Sequence, residues 1–391
     1  MSRFSPNLEF TVSHLGSVQD GSFTHKPLTL FCGPNNRGKT WVLYSLYHFY
    51  ERLHSVLHQR GETSKKPDLR KFNKQVSHTL DDFFNTESRQ IRQAIFHLKS
   101  VRDWRLLVNS PGPANIFLMP AERNGLHLFF RELSTRRTAL LHHASRENID
   151  INELLRDVIR SRYAVPIAHY IDWLNELTET QKRRSEKFHP HAERLKKDLA
   201  GGAYKIDPRS GTIVFKPYQH RRDGRKTEEL GLHMSSSTVK SLFGLWFYLE
   251  HQASPGAMLM IDEPELNIHP DNQRKIARLL AQLVNAGLNV TISTHSDYIV
   301  REYNSLLMLS QDKSRKLRGK YNYRDDEILK PEQVGAYLFD NQTIKPFDIT
   351  PDDGIYATTF DEVIENPNKV NNDIFYTLKE RKDEQLSLIH I

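Results

Sequence analysis

Short runs in which apolar and polar residues alternate dominate the first 32 positions of the chain, and such runs are typical of β-strands. The runs read LEFTVSHLG, GSFTHKP and LTLFC, and their turn signals are Gly16, Gly21 and Pro27. From Val42 to Leu57 the apolar residues recur at helical spacing until Gly61, which ends the pattern. We therefore predict three strands followed directly by a helix.

A similar change of period marks the second half of the chain. Apolar strand patterns occur as AMLMI and LNVTIST, and each follows a stretch with apolar residues at helical spacing, over 239–249 and 276–284. A predicted hairpin precedes them, with AYKI and TIVFKP joined by DPRSG. Strands that alternate with helices predict a parallel α/β core.

The segment between these halves has a different character. Residues 62–112 and 128–200 are polar and helix-prone, and they flank one apolar strand pattern, NIFLMP, at 115–120. We therefore predict an α/β fold with a mixed sheet core and a large, mainly helical insertion. The predicted segments are an N-terminal half of the core over 1–60, the insertion over 61–200, a C-terminal half of the core over 201–310 and an α/β extension over 311–391.

The strongest chemical signal lies between the third strand and the first helix, where GPNNRGKT fits the pattern G-x-x-x-x-G-K-[ST] in full. Glycines let backbone N–H groups approach a phosphate chain closely, and the following helix adds its positive end. Lys39 would bind the β- and γ-phosphates, and Thr40 would bind Mg²⁺. The predicted nucleotide-binding residues are Gly33, Pro34, Asn35, Asn36, Arg37, Gly38, Lys39 and Thr40.

Two more polar groups follow apolar strands. The strand MLMI runs into Asp262 and Glu263; beside a P-loop, these carboxylates predict Mg²⁺ binding by Asp262 and general-base catalysis by Glu263. One strand-helix-strand unit later, TIST leads into His295, which is predicted to contact the γ-phosphate or the attacking water. The predicted catalytic residues are therefore Lys39, Glu263 and His295.

Composition narrows the class of protein. No stretch approaches the roughly 18 consecutive apolar residues that would span a bilayer, and the first ten residues lack a signal-peptide pattern. The single cysteine, Cys32, excludes an internal disulfide and fits a reducing compartment. We therefore expect a cytoplasmic protein without membrane partners, with Cys32 as a small core residue.

The net charge of +7 favours polyanionic partners only mildly. Basic clusters lie at 182–184, 220–226 and 313–320, but they lack the interleaved aromatic residues of a base-stacking surface. We interpret them, like the acidic run at 325–327, as solvated faces, and a nucleic-acid partner stays open. The histidine pairs at 142–143 and at 189 and 191 have no cysteine beside them, so we predict no metal site there.

Taken in order, these motifs resemble those of ABC-type ATPase heads, and most of all those of the prokaryotic OLD-like group, relatives of SMC and RecF heads. The resemblance lies in GPNNRGKT, FLMPAERNGL, HMSSSTVKSL, MLMIDEPELNIHP and TISTHSDYIV, whereas the insertion matches only loosely. It implies an ABC-type head that binds ATP and Mg²⁺ and acts as a homodimer or higher homo-oligomer.

The resemblance also implies residue roles. Ser235, Ser236 and Ser237 stand where the ABC signature opens, and they would contact the γ-phosphate of ATP held by the other subunit. No Gly-Gly follows them, so which serine makes that contact is open, and a helix N-cap is expected here in either case. Residues 265–270 resemble the D-loop at the dimer seam, and Glu122 or Arg123 lies near the place of the unidentified Q-loop residue.

The implied function is that of an ATP-gated dimer that senses a trigger and controls a separate effector, a nuclease or a toxin, in anti-phage defence. Two alternatives stay open. An SMC- or RecF-like DNA clamp in repair or maintenance predicts salt-sensitive DNA affinity that changes with ATP. A nuclease with an unrecognised site in residues 60–200 or 311–391 predicts metal-dependent cleavage by the pure chain.

Overall fold

A computed structural model describes residues 7–59, 68–86, 91, 93–100, 115–132, 163–218 and 228–355 of the chain. Its strands are β1 (Leu8–Leu15), β2 (Val18–His25), β3 (Leu28–Cys32), β4 (Ile95–Ser100), β5 (Ile116–Met119), β6 (Gly202–Ile206), β7 (Ile213–Pro217), β8 (Leu230–Gly231), β9 (Met258–Asp262), β10 (Asn289–Thr294), β11 (Val334–Asp340), β12 (Thr343–Pro346), β13 (Ile349–Thr350) and β14 (Gly354–Ile355).

The helices of the same residues are α1 (Lys39–Gln59), α2 (Leu69–His78), α3 (Leu80–Phe84), α4 (residues 123–132), α5 (Val165–Asn175), α6 (Leu177–Thr180), α7 (His189–Leu195), α8 (Ser237–His251), α9 (Pro270–Asn285), α10 (Asp297–Met308) and α11 (Lys316–Lys320). A π-helical turn, Lys196–Ala200, extends α7. None of these helices is both long and apolar enough to cross a bilayer. The strands and helices predicted on either side of the P-loop are confirmed, although Gly61 lies outside the described residues.

Nine strands form one mixed sheet in the order β4-β1-β2-β12-β11-β3-β10-β9-β5. The five strands from β11 to β5 run parallel, whereas β1 pairs antiparallel with both β2 and β4, and β12 pairs antiparallel with β11. The predicted α/β class with a mixed sheet core is therefore confirmed. Because β3, β10 and β9 are adjacent and parallel, the residues that follow them meet at one edge of the sheet.

Helices cover both faces of this sheet. Because successive residues of a strand point to opposite faces, each strand contributes side chains to both of the resulting cores. In β9, Leu259 and Ile261 pack into the core that contains α8, α9 and α10, whereas Met258 and Met260 pack into the core that contains α1, α2 and α3. This burial on both sides explains why the strand reads as an unbroken apolar run. The predicted hairpin forms β6 and β7, which pair in a separate three-stranded sheet with β8.

The structure adds to one predicted segment and corrects another. The insertion over 61–200, predicted to be mainly helical with one strand pattern, also contributes β4 and β5 as the two edge strands of the main sheet. The segment from 311 onward is not an extension of the core, because β11 and β12 lie inside the main sheet and β11 pairs with the P-loop strand β3. Strand pairing between distant segments decides both points, and local periodicity carries no information about it.

Candidate active site

The P-loop, residues 33–40, connects β3 to α1 and owes its shape to glycine at both ends. Gly33 has a φ of 135°, and a Cβ there would lie 2.5 Å from the carbonyl oxygen of Phe339 on β11. Gly38 has a φ of 93°, and a Cβ there would lie 2.7 Å from Val18 Cγ2. Side chains are therefore excluded at both positions by backbone conformation and by neighbouring strands.

An open cleft of about 730 Å³ borders the P-loop. It is lined by P-loop residues, by the β1–β2 turn, by Glu263 and by a residue of the β11–β12 turn: Gly16, Ser17, Gln19, Asn35, Asn36, Arg37, Gly38, Lys39, Thr40, Trp41, Glu263 and Gln342. The contributions of the two turns were not predicted, because neither turn carries a recognisable motif.

Lys39 is buried at the floor of the P-loop and is bound to the loop itself. Its Nζ donates hydrogen bonds to the carbonyl oxygens of Gly33, at 2.8 Å, and Pro34, at 2.7 Å. Desolvation by burial lowers the pKa of this ammonium group, although nearby carboxylates, Glu263 first, oppose the shift. A phosphate group would replace the two carbonyls as a stronger, charged acceptor for Lys39.

Asp262, at the end of β9, is almost fully buried and shares one oxygen between two hydroxyl donors. Thr40 Oγ1 donates to Asp262 Oδ1 at 3.2 Å, and Ser293 Oγ donates to the same oxygen. Burial raises the pKa of Asp262 to about 6, partly offset by these hydrogen bonds. The structure therefore brings together Thr40 and Asp262, the two predicted Mg²⁺ ligands. Ser293 is a third member whose position within TISTHS gave no indication of this contact.

These oxygen atoms fit the chemistry of Mg²⁺, which prefers carboxylates and hydroxyls together with water and substrate phosphates. Thr40 and Asp262 would hold the ion beside the P-loop, where it would neutralise phosphate charge. A cation there would also favour the charged form of Asp262, which burial alone disfavours.

Glu263 lines the cleft and has a left-handed backbone conformation, with a φ of 50°. Such a conformation costs roughly 1–2 kcal/mol in a residue other than glycine. Its N–H group donates to Ser293, 3.1 Å from the carbonyl oxygen and 3.2 Å from Oγ. Neighbouring β10 thus helps to hold the backbone that aims this carboxylate.

His295 lies beside two carboxylates at the end of β10. Its Nδ1 is 3.6 Å from Glu263 Oε1 and 3.3 Å from Glu265 Oε1. Interaction with His295 lowers the pKa of Glu263, so its carboxylate is ionised at neutral pH and can accept a proton from water. The same interaction raises the pKa of His295. The structure therefore brings together the three predicted catalytic residues, because Lys39 and Glu263 line one cleft and His295 adjoins Glu263.

Glu265, in the D-loop-like segment, holds the backbone of His295 through a hydrogen bond. The Glu265 side chain is buried and its Oε1 accepts hydrogen bonds from Thr294 Oγ1 and from the His295 N–H group, both at 2.8 Å. Burial raises the pKa of Glu265, and these donors oppose the shift. This role was not predicted, because the sequence gives no sign that the D-loop-like segment contacts the histidine.

The three signature serines lie at the start of α8. Ser236 is the N-cap of this helix, and its side chain accepts a hydrogen bond of 3.3 Å from the Val239 N–H group. The start of α8 lies next to the D-loop-like segment, since Thr238 Oγ1 is 3.5 Å from the Asn267 carbonyl oxygen. None of the three serines is among the described residues that line the cleft around the P-loop.

Of the two candidates near the Q-loop position, Arg123 contacts the site. Arg123 is buried, and its guanidinium donates to the carbonyl oxygens of Asp262, at 2.9 Å, and Glu263, at 2.8 Å. Glu122 is exposed on the same turn. Sequence patterns gave the neighbourhood of Arg123 but not these contacts.

The remaining polar groups singled out in the sequence lie elsewhere. His189, Glu193 and Glu250 place ligand atoms within 4.8 Å of one another. Cations already neutralise this group, because Lys196 Nζ lies 2.6 Å from Glu193, and Arg184 contacts both His189 and Glu250. His142 and His143 lie outside the described residues, as does the basic cluster at 220–226.

The acidic run at 325–327 is only partly a solvated face. Asp325 and Asp326 accept from Arg318 and Arg194, both at 2.8 Å. Glu327 is buried instead, and its carboxylate accepts hydrogen bonds from Gln282 Nε2 and from the Arg324 N–H group. Its burial against α9 corrects the expectation for this residue.

Comparison with known proteins shows where similarity lies. The family described as AAA ATPase domain matches residues 136–300, less than half of the chain. This stretch contains the signature serines, Asp262, Glu263 and His295, and it begins beyond the P-loop. No curated protein matches the chain.

Among solved structures, the chain is similar to heads of SMC proteins. The SMC head with an extended coiled coil, bound to the C-terminal domain of ScpA, from Pyrococcus furiosus is 13% identical, with a TM-score of 0.40 over 95% of this chain and 100% of that one. The SMC head from Thermotoga maritima is 12% identical, with a TM-score of 0.37 over 88% and 99%. At these identities and TM-scores the likeness is remote.

Proposed function

We propose that this chain binds MgATP and hydrolyses it as an ABC-type ATPase. The proposal is supported above all by the convergence of Lys39, Thr40, Asp262, Glu263 and His295 at the carboxyl ends of three adjacent parallel strands. The match to an AAA ATPase domain over 136–300 supports the same class of activity.

In this proposal each residue has one task. The P-loop N–H groups and Lys39 bind the phosphates, and Thr40 with Asp262 holds Mg²⁺. Glu263 accepts a proton from the attacking water, and His295 contacts that water or the γ-phosphate. Because Glu263 and His295 already adjoin each other, only the nucleotide and water have to be placed between them and the P-loop.

We further infer that ATP gates a homodimer. The signature serines do not line the cleft of their own chain, but they begin a helix that contacts the D-loop-like segment beside Glu263. This arrangement leaves the exposed Ser236 and Ser237 facing outward, where they could contact the γ-phosphate held by a second copy, whereas the Ser235 hydroxyl is buried within its own chain. Hydrolysis would then remove the charged group that both surfaces share, and the dimer would open.

The tests are the rate of ATP hydrolysis and the molecular mass of wild type, Glu263→Gln and the exposed control Glu228→Gln, with and without MgATP. We expect Glu263→Gln to lose on the order of 100-fold or more in hydrolysis, to keep ATP binding and to form a stable dimer with MgATP. Glu228→Gln should match wild type. Equal hydrolysis by Glu263→Gln and wild type would reject Glu263 as the base, and absence of any ATP-dependent dimer would reject gating.

The biological role that we propose is control of a separate effector, a nuclease or toxin, in anti-phage defence. It rests on the resemblance of the motifs to OLD-like ATPases. Its test is a pull-down with the trapped Glu263→Gln dimer and with the nucleotide-free chain, in which a nuclease or toxin should bind the dimer but not the nucleotide-free chain. An effector that binds both forms equally would argue against control by ATP.

A further inference from the structure

Arg123 is a charged side chain enclosed in the protein core. It is the first residue of α4, directly after the turn that follows β5, and only 2% of it is exposed. A guanidinium group in such surroundings requires several hydrogen-bond acceptors, because burial without them is costly. The residues that supply these acceptors therefore indicate what Arg123 does.

Among the described residues, Arg123 has three hydrogen-bond acceptors, and all three are backbone carbonyl groups. Nη1 donates to Pro120, at 3.2 Å, and to Asp262, at 2.9 Å, and Nη2 donates to Glu263 at 2.8 Å. Two of these carbonyls belong to the residues that carry the candidate metal ligand and general base. The planar guanidinium thus spans consecutive carbonyls at the point where β9 ends.

Glu263, whose carbonyl group accepts from Arg123, has an unfavourable backbone conformation. Glu263 has a φ of 50°, which must be held by surrounding contacts. Its N–H group is held by Ser293 of β10, and its carbonyl group is held by Arg123. Both peptide groups of Glu263 are therefore fixed, one from each side, and the direction of its carboxylate follows from them.

Helix α4 also fixes Arg123 relative to α8, the signature helix, which begins at the signature serines. Asn124 Oδ1 accepts a hydrogen bond of 3.0 Å from Ser241 Oγ, and His127 Nδ1 lies 2.9 Å from the Lys240 carbonyl oxygen. Both partners are on α8, which begins at Ser237 with Ser236 as its N-cap. One short helix therefore contacts the general-base residue through Arg123 and the signature helix through the next turn.

We propose that Arg123 is a positioning residue that holds the backbone of Glu263 in the conformation needed for attack of water on ATP. The proposal rests on the hydrolytic function proposed above and adds a residue that is not among those lining the cleft at the P-loop. It distinguishes Arg123 from a residue that merely fills the core, because its removal should affect the chemical step more than nucleotide binding.

The test compares wild type with Arg123→Lys, Arg123→Met and the exposed control Arg131→Met on the same helix. The measurements are the single-turnover rate of ATP hydrolysis, the Kd for MgATP and the thermal midpoint of unfolding. We expect Arg123→Met to lose ~100-fold in rate with Kd within about twofold of wild type, because a small misplacement of a catalytic group has effects of this size. Arg123→Lys, which can bind only part of the carbonyl pair, should be intermediate.

Three results would overturn the proposal. They are an unchanged rate in folded Arg123→Met, a loss that appears in Kd rather than in rate, and failure of Arg123→Lys to fold while Arg131→Met folds normally. The last result would assign Arg123 a purely structural role. A wild-type chain that does not hydrolyse ATP would instead reject the proposed function, so the two failures are distinguishable.

Discussion

Thr40 and Asp262 are 222 positions apart in the chain, yet Thr40 Oγ1 donates a hydrogen bond of 3.2 Å to Asp262 Oδ1. Thr40 is the second residue of α1 and Asp262 is the last residue of β9, and strand β10 lies between β9 and β3, the strand that precedes the P-loop. The contact joins the phosphate-binding loop to the candidate metal ligand. Since Asp262 has almost no exposed surface, this contact is shielded from solvent.

A Thr40→Ala variant should bind MgATP about tenfold more weakly, because it loses one charge-assisted oxygen contact. Binding of ATP in EDTA should change little, since Thr40 is proposed to act through the metal. Isothermal titration with and without Mg²⁺ measures both affinities, and the exposed Thr212→Ala is the matched control. Equal losses in Mg²⁺ and EDTA would show that Thr40 supports the loop rather than the ion.

Mixing of two defective chains tests whether the signature acts on a partner's ATP. Lys39→Ala and a Ser235→Arg/Ser237→Arg double variant, which keeps the N-cap Ser236, should each be inactive alone. In a two-fold symmetric dimer, a 1:1 mixture should recover about a quarter of wild-type ATPase activity, because half of the dimers contain one intact composite site.

The control is a second 1:1 mixture, of the Lys39→Ala chain with a chain that carries Lys39→Ala, Ser235→Arg and Ser237→Arg together. No dimer in this mixture contains an intact composite site. Recovery there would indicate hydrolysis that does not depend on Lys39, such as that of a contaminating ATPase. If the first mixture stays inactive although mass measurements show mixed dimers, the signature serines act within their own chain or not at all.

Acid should destabilise the fold partly through His25. This ring is fully buried between Tyr50 Oη, at 2.6 Å, and Thr291 Oγ1, at 2.8 Å, and burial lowers its pKa from 6.5 to about 3. The unfolded chain takes up a proton below pH 6.5, whereas folded His25 does not until about pH 3. Stability is therefore lost as pH falls through this window, by about 2 kcal/mol between pH 7 and pH 5 from this residue.

In His25→Gln the difference in free energy of unfolding between pH 7 and pH 5 should shrink by about that 2 kcal/mol, whatever the variant's absolute stability. Urea unfolding at the two pH values measures it. The exposed His78→Gln variant should leave the difference unchanged. An undiminished difference in His25→Gln would mean that His25 is protonated in the folded state.

The thiol of Cys32 should be unreactive in the folded protein. Cys32 is the last residue of β3, fully buried, and burial raises its pKa to about 12. Thiolate, the reactive form, is then scarce at neutral pH. A chromogenic disulfide reagent should modify the chain in denaturant but not in native buffer. Rapid labelling of native protein would contradict the burial.

Much of the candidate site was predictable because its motifs consist of consecutive residues. The P-loop motif requires a glycine at each of two positions, a lysine and a hydroxyl, all within eight residues. Asp262-Glu263 and His295 each follow an apolar strand, and such strands are buried in any α/β core. These predictions depend on local geometry, and the structure places the predicted residues together where β3, β9 and β10 end.

Other parts depended on contacts between distant residues. A side chain at position 33 is excluded by the carbonyl group of Phe339 on β11, a strand that was predicted to lie outside the core. Arg123 reaches the carbonyls of Asp262 and Glu263, 139 and 140 positions away. No periodicity or spacing records such a pairing, because backbone carbonyls are the same at every residue.

The sequence by itself therefore determined the α/β class and the candidate nucleotide, metal and catalytic residues, since motif and strand burial are local properties. Tertiary structure alone decided the strand order β11-β3-β10-β9, the support of His295 by Glu265 and the grip of Arg123 on Glu263. The physical reason is that a residue's partner across the sheet depends on how the whole chain packs, and burial makes each such contact specific.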